Sequence, residues 1–373
     1  MESVDLIVIG AGPAGSAAAI RYLQLRPTAR VVLLDKAAFP RDKPCGDGLG
    51  PDAVSELVAL GAAEVLYGRI PVTSVILQSP SGRRVTGHPP RPGFVVPRFE
   101  LDAALVAVAQ RMGAELLCER VESVRDLTHA GVVINERFRA PVVIAADGAN
   151  SRTRSLLGEP RAPDHHAAFA VRGYVKAPHD ALEIRWERRL YPAYSWLFPV
   201  GDGRVNVGFG CLHSQLRDPR PKVELWSALR EAIGLEIPED SLRAHRLPFT
   251  TAKLSRSSGS VLFAGDAAGM INPLSGEGIY YALATGRMAA SAATLSAGNS
   301  VAYEHAVRRV FGAHFRSTSL AHLLQRIPRN IDAAVSAANK SPEVFDDLVE
   351  IALGRGTLTP VVVSAVARHW VRP

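Results

Sequence analysis

With 373 residues, the chain is long enough for two or three domains, each with its own apolar core. Three scattered cysteines exclude a disulfide framework, and no Cys/His cluster has the spacing of a metal site. The net charge of +7 comes without the interleaved aromatic residues that single-stranded nucleic acid needs, which argues against nucleic-acid binding. The sequence shows no secretory leader, and Arg287 interrupts the apolar segment 278–297, so we expect a cytoplasmic protein.

The N-terminus predicts a dinucleotide-binding βαβ unit. Residues 4–10 form an apolar strand, the glycine-rich turn GAGPAG opens a helix that we place at 16–25, and a second strand at 30–34 ends in Asp35. Gly10 permits the tight turn, Gly12 lets the backbone approach a pyrophosphate, and Gly15 lets helix and strand pack closely. Asp35 would hold a ribose hydroxyl, which favours FAD or NAD over NADP.

A second stretch, residues 261–286, repeats this strand–turn–helix pattern. The apolar run 261–264 predicts a buried strand that stops at Gly265 and Asp266, where the carboxylate can accept a hydrogen bond from a ribityl hydroxyl. Gly276 and Gly278 then open a helix that we expect to run to about Ala297 and to end at Gly298. Its free N–H groups can hold an anion or a polarised ring oxygen, and the charge of Glu277 suits a helix N-terminus.

The remaining chain divides by pattern. A Gly/Pro-rich loop occupies 40–49, a hairpin 72–88, and an amphipathic helix begins at Arg98. Further predicted strands lie at 114–118, 119–125, 131–137, 141–146, 167–176, 182–189, 194–200 and 203–211, and the last four indicate an antiparallel sheet. Residues 301–373 read as helices broken near Pro328, Pro342 and Gly354.

These elements predict an α/β protein with a Rossmann-type FAD-binding domain, an inserted antiparallel sheet and a helical C-terminus. We assign 1–70, 92–160 and 252–300 to the FAD-binding domain, 71–91 and 161–251 to the substrate domain, and 301–373 to the helical region.

Three separated motifs, GAGPAG, ADGANSRTR at 146–154 and GDAAGMINPLSGEGI at 265–279, resemble the flavoprotein superfamily with the para-hydroxybenzoate hydroxylase-like fold. KPCGDGL at 43–49 resembles the KxCGxGL segment of the geranylgeranyl reductase family, and YSWLFP at 194–199 with VNVG at 205–208 resembles its YxWxFP block. A proline usually precedes that tyrosine by three residues, whereas here Tyr191 stands at that place and Pro192 follows. The resemblance and the motifs together give these cofactor-binding candidates: Gly10, Gly12, Pro13, Ala14, Gly15, Asp35, Lys36, Cys45, Gly46, Arg98, Val121, Asp147, Gly265, Asp266, Gly276, Gly278 and Ile279.

The resemblance implies an FAD-dependent reductase of isolated double bonds in a prenyl chain, with hydride from N5 of reduced FAD and a proton from the protein or a water. Cys45 is the first candidate for the acid and Tyr194 is the second. Tyr194 and Trp196 are also the candidate aromatic wall. NAD(P)H or ferredoxin would be the transient electron donor, and a ferredoxin or a reductase is a candidate partner. Two alternatives stay open: an aromatic or polyketide hydroxylase or halogenase-like enzyme on the same fold, and a flavin-binding protein without turnover.

Three features keep a structural interpretation beside the functional one. The stripe Tyr194, Trp196 and Phe198 is either the core side of a sheet or the wall of the flavin site, and Cys45 is either a packing residue or catalytic. The basic region 301–330, with five arginines against Glu304, is either a solvated helix face or a patch that faces anionic lipid or a pyrophosphate-bearing substrate. We expect a long, apolar substrate with a polar or anionic head, and peripheral contact with the inner face of the membrane is a candidate.

Overall fold

The computed structural model describes residues 1–127, 130–218, 220–295 and 299–371. The strands are β1 (Glu2–Ser3), β2 (Leu6–Ile9), β3 (Val31–Asp35), β4 (Gly48–Leu49), β5 (Val75–Gln78), β6 (Arg84–Gly87), β7 (Phe94–Val95), β8 (Glu115–Cys118), β9 (Val124–Asp126), β10 (Val132–Ile134), β11 (Phe138–Ala140), β12 (Val143–Ala145), β13 (Ala167–Lys176), β14 (Leu182–Glu187), β15 (Ala193–Pro199), β16 (Arg204–Leu212), β17 (Arg243–Pro248), β18 (Ser257–Ser258) and β19 (Val261–Phe263). The α-helices are α1 (Pro13–Leu25), α2 (Pro51–Ala59), α3 (Arg98–Arg111), α4 (Arg152–Leu156), α5 (Pro221–Ile233), α6 (Ile279–Ala293), α7 (Asn299–Leu324), α8 (Pro328–Lys340), α9 (Pro342–Leu353) and α10 (Pro360–Val371).

A six-stranded sheet in the order β18-β19-β12-β2-β3-β8 forms the first core. All its pairs are parallel except β18 with β19. Strands β2, β3, β12 and β19 are buried along their whole length, which explains why their sequences are uninterrupted apolar runs. A small four-stranded sheet, β1-β11-β10-β9, lies beside it.

Helices α1 and α6 pack closely on this sheet because small residues meet where they cross. A Cβ on Gly286 would lie 2.0 Å from the carbonyl oxygen of Ala14, so only glycine permits this approach. Helix α6 ends at Ala293, earlier than the sequence suggests, and the predicted end at Ala297 and Gly298 lies outside the described residues.

The second core is a seven-stranded sheet in the order β17-β13-β16-β15-β14-β5-β6. Strands β13 to β16 lie within one or two residues of their predicted bounds, and β16 is buried at every residue except its first. The sheet is mixed rather than wholly antiparallel, since β5 pairs with β14 in parallel. Helix α5, which the strand pattern did not predict, packs on the face of β13 and β16 through Leu225, Ala228 and Leu229.

The C-terminal helices α7 to α10 follow the predicted breaks at Pro328, Pro342 and Gly354. Helices α8, α9 and α10 share an apolar cluster with β5 and β6, so they cover part of the larger sheet. Among the described helices, none combines the length and apolar character needed to cross a bilayer.

Candidate active site

A central cavity opens between the carboxyl ends of the parallel strands and the larger sheet. Its walls come from the loop 43–51, the starts of α1 and α3, strands β13 to β15 and β17, the loop 275–278, and α9. Ten of the predicted site residues line it: Pro13, Cys45, Gly46, Arg98, Tyr194, Trp196, Asp266, Gly276, Gly278 and Ile279. The other predicted residues lie outside its lining: Gly10, Gly12, Ala14, Gly15, Asp35, Lys36, Val121, Asp147 and Gly265.

The glycine-rich turn before α1 has the geometry that its sequence predicts. Gly10 adopts a φ of +94°, and a Cβ there would lie 2.4 Å from the Ala146 carbonyl oxygen. A Cβ on Gly15 would lie 1.7 Å from the Gly10 carbonyl oxygen, so this glycine lets the helix pack on the strand. A Cβ on Gly12, in contrast, would meet nothing nearer than 3.7 Å, so the turn presents open backbone at this point.

Two guanidinium groups face that open backbone. The Nη2 atoms of Arg41 and Arg98 each lie 3.7 Å from the Cβ position of Gly12. Arg98 is 4% exposed and binds Asp102 through both Nε and Nη2, at 2.6 and 2.7 Å. Arg41 Nη1 lies 3.3 Å from the same carboxylate. Open backbone between two arginines at a helix N-terminus fits an anion such as a pyrophosphate.

The Asp35 carboxylate stands at the end of β3 as predicted. Its Oδ2 accepts a hydrogen bond from the Ala11 N–H at 2.8 Å, and Oδ1 accepts one from the Ala37 N–H at 3.0 Å. Lys36 next to it is exposed. These bonds fix the carboxylate against the glycine-rich turn.

Asp147 and Val121 accept hydrogen bonds from residues at the start of α4. Asp147 accepts hydrogen bonds from Ser151 Oγ at 2.6 Å and from both Thr153 N and Oγ1 at 2.9 Å. The carbonyl oxygen of Val121 accepts one from Arg152 Nε. Asp147 therefore shapes the turn before α4.

Asp266 at the end of β19 has two basic neighbours. Lys43 Nζ lies 3.3 Å and His245 Nε2 3.6 Å from its Oδ2. Although burial acts to raise it, Lys43 and His245 hold the pKa of Asp266 well below its usual range. Burial lowers the pKa of His245, so the histidine is neutral near neutral pH. Asp266 is thus a charged acceptor at the place where a ribityl hydroxyl was predicted.

The loop that carries Cys45 is tied to the larger sheet by Asp47 and Asn206. Asn206 Nδ2 donates to the Cys45 carbonyl oxygen at 2.9 Å and to Asp47 Oδ2 at 2.8 Å. The Tyr174 hydroxyl also donates to Asp47 Oδ2. Burial, with the charge of Asp47 adding to it, raises the pKa of the Cys45 thiol to about 11, so the thiol keeps its proton at neutral pH.

The aromatic stripe on β15 faces the cavity. The ring centroids of Tyr194 and Trp196 are 5.9 Å apart, and those of Trp196 and Phe198 are 6.2 Å apart. Trp196 Nε1 donates to Asn206 Oδ1 at 2.9 Å, and the Tyr194 hydroxyl donates to the Ser275 carbonyl oxygen at 2.6 Å. Because burial also raises the pKa of Tyr194, its hydroxyl is a weak acid held by a backbone acceptor.

The loop before α6 brings a carboxyl group to the same cavity. Glu277 Oε1 accepts a hydrogen bond from the Tyr280 N–H at 2.9 Å, which is the helix-terminal role that its position suggests. Burial raises its pKa to about 7. Gly276 has a φ of +74°, and a Cβ there would lie 2.7 Å from the Tyr194 hydroxyl, so glycine is required at this turn.

A second, apolar cavity of about 550 Å³ lies between the larger sheet and helices α7 to α10. The residues that it shares with the central cavity are Val75, Ile184, Tyr194, Ser275, Val349 and Leu353. Its outer end is lined by exposed apolar side chains, among them Leu320, Leu324, Val363 and Trp370. Tyr194 is therefore one of six residues that line both cavities.

Sequence reasoning did not select Asp47, Tyr174, Asn206 or His245 as site residues. Asp47 lies in the KPCGDGL segment and Asn206 in the VNVG segment, but their partners are distant in sequence: Asp47 and Asn206 are 159 positions apart. His245 lies on β17, which was not predicted as a strand. In the part of the chain that the structure describes, no group of His, Cys, Asp and Glu residues is arranged to hold a metal ion.

Residues 3–289 match a family model described as an FAD binding domain. The chain is 35% identical to a menaquinone reductase of Mycolicibacterium smegmatis over 98% of this chain and 95% of that protein. It is also 35% identical to a geranylgeranyl diphosphate reductase of Rhodobacter capsulatus over 78% of this chain and 74% of that protein. A geranylgeranyl bacteriochlorophyll reductase-like protein from Thermoplasma acidophilum has the same fold, with a TM-score of 0.80 at 20% identity over 100% of this chain and 97% of that one.

Proposed function

Because the chain belongs to the geranylgeranyl reductase family of FAD-binding flavoproteins, we propose that it reduces isolated carbon–carbon double bonds in the prenyl chain of a lipid or quinone. The relatives named as menaquinone and geranylgeranyl diphosphate reductases support this substrate class. The observation that carries the proposal is the apolar cavity, which shares Tyr194 and five other lining residues with the central cavity.

The central site suits FAD. Arg41, Arg98 and the open backbone at Gly12 would hold the pyrophosphate, and Asp35 would accept from the ribose. Asp266 would accept from the ribityl chain, and the N-terminus of α6 would face the ring. When bound and reduced, FAD supplies the hydride that alkene reduction requires.

The apolar cavity would hold the prenyl chain and exclude water from it. Its walls from α7 to α10 are almost wholly aliphatic, whereas the wall shared with the central cavity carries Tyr194 and Ser275. A chain lying in it would bring one double bond to the junction of the two cavities. The length of chain between the polar head and this junction would then select which double bond is reduced.

The proton would come from Cys45. An isolated alkene has no carbonyl group to stabilise an anion, so protonation of one carbon must accompany hydride addition to the other. Tyr194 and Trp196 would shield the resulting cationic character with their ring faces. Cys45 keeps its proton at neutral pH and lines the same cavity, which makes it the better donor than the Tyr194 hydroxyl that Ser275 already binds.

We also propose that the substrate enters from a membrane surface. The outer end of the apolar cavity carries exposed Leu320, Leu324 and Trp370, and exposed Leu323 and Ile327 extend this apolar rim. Among the described residues, no acidic side chain pairs with Arg316 or Arg326 nearby, and Arg329 lies 4.2 Å over the Trp370 ring. An apolar rim flanked by arginines fits a bilayer surface that contains anionic lipid.

The electron donor in this proposal is NAD(P)H or a ferredoxin that contacts the flavin transiently. One dinucleotide-binding motif is present in the sequence, and the FAD site uses it. A donor without its own Rossmann motif would therefore have to reach the flavin through the open side of the central cavity. Anaerobic flavin bleaching by each donor would distinguish them.

An anaerobic reoxidation experiment tests the proposed alkene reduction. The flavoprotein is reduced, mixed with a prenyl quinone or a geranylgeranyl lipid, and followed by absorbance, while mass spectrometry detects a gain of two hydrogens in the substrate. We expect reoxidation with substrate alone. Reoxidation that occurs only with oxygen and yields a hydroxylated product would contradict the proposal, and so would the absence of substrate-coupled reoxidation.

A further inference from the structure

Asp47 is a buried carboxyl group for which the proposed reaction has as yet no use. Its side chain has no exposed surface, and Oδ1 has no hydrogen-bond partner among the described residues. Its Oδ2 accepts from Asn206 and Tyr174, and no described cationic side chain lies within ion-pair distance. Burying a carboxylate without a counter-charge is costly, so a group kept in this state calls for an explanation. Asp47 also occupies the second variable position of the KxCGxGL segment, so the family resemblance assigns it no role.

The Asn206 side chain ties the Asp47 carboxyl group to the loop that carries Cys45. Both residues line the central cavity, and the Asp47 backbone N–H interacts with the Cys45 thiol. The Asn206 amide donates to the backbone of Cys45 and to the carboxylate of Asp47, while its oxygen accepts from Trp196. One amide therefore fixes the thiol loop, the carboxyl group and the aromatic wall relative to each other.

Burial keeps both groups protonated more readily than in water. Burial raises the pKa of Asp47 to about 6, although hydrogen bonds from Tyr174 and Asn206 and the charges of Arg172 and Arg98 act to lower it. The Cys45 thiol, with its pKa raised to about 11, is faced by Asp47, Arg98 and Glu277. The carboxyl group is therefore the member of the pair that titrates near neutral pH.

We propose that Asp47 is the proton store of Cys45: after the thiol has given its proton to the substrate, the Asp47 carboxyl group returns one to the sulfur. The inference rests on the proposed function, which supplies the hydride. In the first step the S–H bond breaks and a C–H bond forms. In the second the O–H bond of Asp47 breaks and the S–H bond is restored, and the carboxylate regains its proton from solvent. A neutral Asp47 also spares the transient thiolate a second negative charge beside it.

The variant Asp47→Asn tests this directly. Asp47 has a φ of +64°, a left-handed conformation that asparagine also adopts, and an amide is neutral at every pH. We expect the first turnover of reduced enzyme to proceed near the wild-type rate, since Cys45 starts protonated. Later turnovers should be slower by about tenfold or more, because the thiol must wait for water. Rapid mixing for the first turnover and steady-state product analysis for the rest provide the comparison.

The pH profile gives a second measurement. The steady-state rate of the wild type should fall as pH rises through about 6, where Asp47 loses its proton, and this limb should be absent from Asp47→Asn. In Tyr174→Phe the carboxylate loses one hydrogen-bond donor, so the pKa of Asp47 rises and the limb should move to higher pH. If Asp47→Asn does not fold, the shift of this limb in Tyr174→Phe still tests the inference.

A titration of the Cys45 thiol measures the electrostatic coupling between Asp47 and Cys45 without turnover. In a Cys118→Ser background, which removes the exposed thiol, alkylation of Cys45 by iodoacetamide should begin at lower pH in Asp47→Asn than in the parent, because the carboxylate charge that raises the Cys45 pKa is gone. Unchanged alkylation and pH–rate profiles in Asp47→Asn would overturn the inference. A wild type that reduces no prenyl chain would contradict the proposed function instead, and the alkylation profile would still decide whether the two groups are coupled.

Discussion

Cys45 is the single residue on which the proposed chemistry depends most directly. The loop around it has no regular secondary structure from 41 to 47, yet it is held from three sides: Asp42 pairs with Arg172, Lys43 with Asp266, and Asp47 with Asn206 and Tyr174. These partners fix the position of the loop and, with it, the position of the Cys45 thiol. Its contribution should therefore be separable from flavin binding.

Cys45→Ser should leave FAD binding and flavin reduction unchanged and slow alkene reduction by on the order of 10²-fold, the usual scale for the loss of a positioned acid. The reason is that a hydroxyl holds its proton far more tightly than a thiol. Rapid-mixing absorbance should show reduced flavin that persists in the presence of substrate. Cys118→Ser, at an exposed position, is the control. Reoxidation of the Cys45→Ser flavin at the wild-type rate would show that the proton comes from another group.

Arg98→Lys should weaken FAD binding by about tenfold or more. Arg98 binds Asp102 through two nitrogens and still directs Nη2 toward the open backbone at Gly12, a geometry that a single ammonium group cannot reproduce. Each charged hydrogen bond contributes ~1.5–3 kcal/mol. Flavin titration by fluorescence quenching measures the change, and Arg111→Lys, on the exposed end of the same helix, is the matched control. Equal affinities of the two variants would refute this role of Arg98.

At the scale of secondary structure, the aromatic wall depends on a glycine in the neighbouring strand, whose missing side chain leaves room for the Trp196 ring. A Cβ on Gly208 of β16 would lie 1.9 Å from the Trp196 ring, so the glycine gives the indole its place beside the cavity. Gly210, two residues further on the same strand, would accept a Cβ at ordinary contact distance, 3.6 Å from Ala170. The two glycines look alike in sequence and differ in what they support.

Gly208→Ala should destabilise the protein by about 1–3 kcal/mol, because the added methyl group must displace the Trp196 ring. Gly210→Ala should cost clearly less. Thermal unfolding measures both, and tryptophan fluorescence should change only in Gly208→Ala. Similar losses in both variants would mean that strand geometry, and not the indole, requires glycine at these positions.

The contrast between elements and site shows what the sequence could predict. The strands β13 to β16 and the breaks before α8 and α9 follow from alternation and prolines, which act locally, and the order of the motifs predicts the FAD-binding sheet. Helix α5 was missed although Pro221 begins it and Gly234, with a φ of +67°, ends it. Asp47 and His245 could not be predicted as site residues, because the pKa and the contacts of a buried carboxyl group or histidine depend on partners from other elements. The assignment of the chain to three domains and the roles of the site residues stay predictions.

At the scale of the whole molecule, two cavities of different character share one wall. The inner one combines arginines, carboxylates and a thiol, whereas the outer one is apolar and ends at an exposed apolar rim. With the proposed substrate bound, such an arrangement would keep the reacting atoms dry while the polar end of the substrate stayed in contact with water or lipid headgroups. The membrane proposal follows from this division.

Binding to liposomes should therefore increase with the fraction of anionic lipid and decrease with salt. Leu323→Asp, at an exposed position of the rim on α7, should weaken it by several-fold. Val301→Asp, exposed near the opposite end of the same helix, should not, which makes it the matched control. Co-sedimentation measures all three proteins. Binding that is indifferent to lipid charge, to salt and to Leu323→Asp would leave the rim as ordinary solvated surface.

The order of strands in the parallel sheet also sets the point in synthesis at which the apolar strand β12 is paired on both edges and protected from aggregation. Strand β12 pairs with β2 on one side and with β19 on the other, so one edge of a fully apolar strand stays open until residues 261–263 leave the ribosome. At roughly 5–20 residues per second, the intervening segment takes on the order of 10 s to translate. During that time the nascent chain presents an unpaired apolar edge to other chains. A fragment that stops at residue 255 should consequently precipitate on refolding, whereas one that continues through α6 should stay dispersed, which sedimentation would measure.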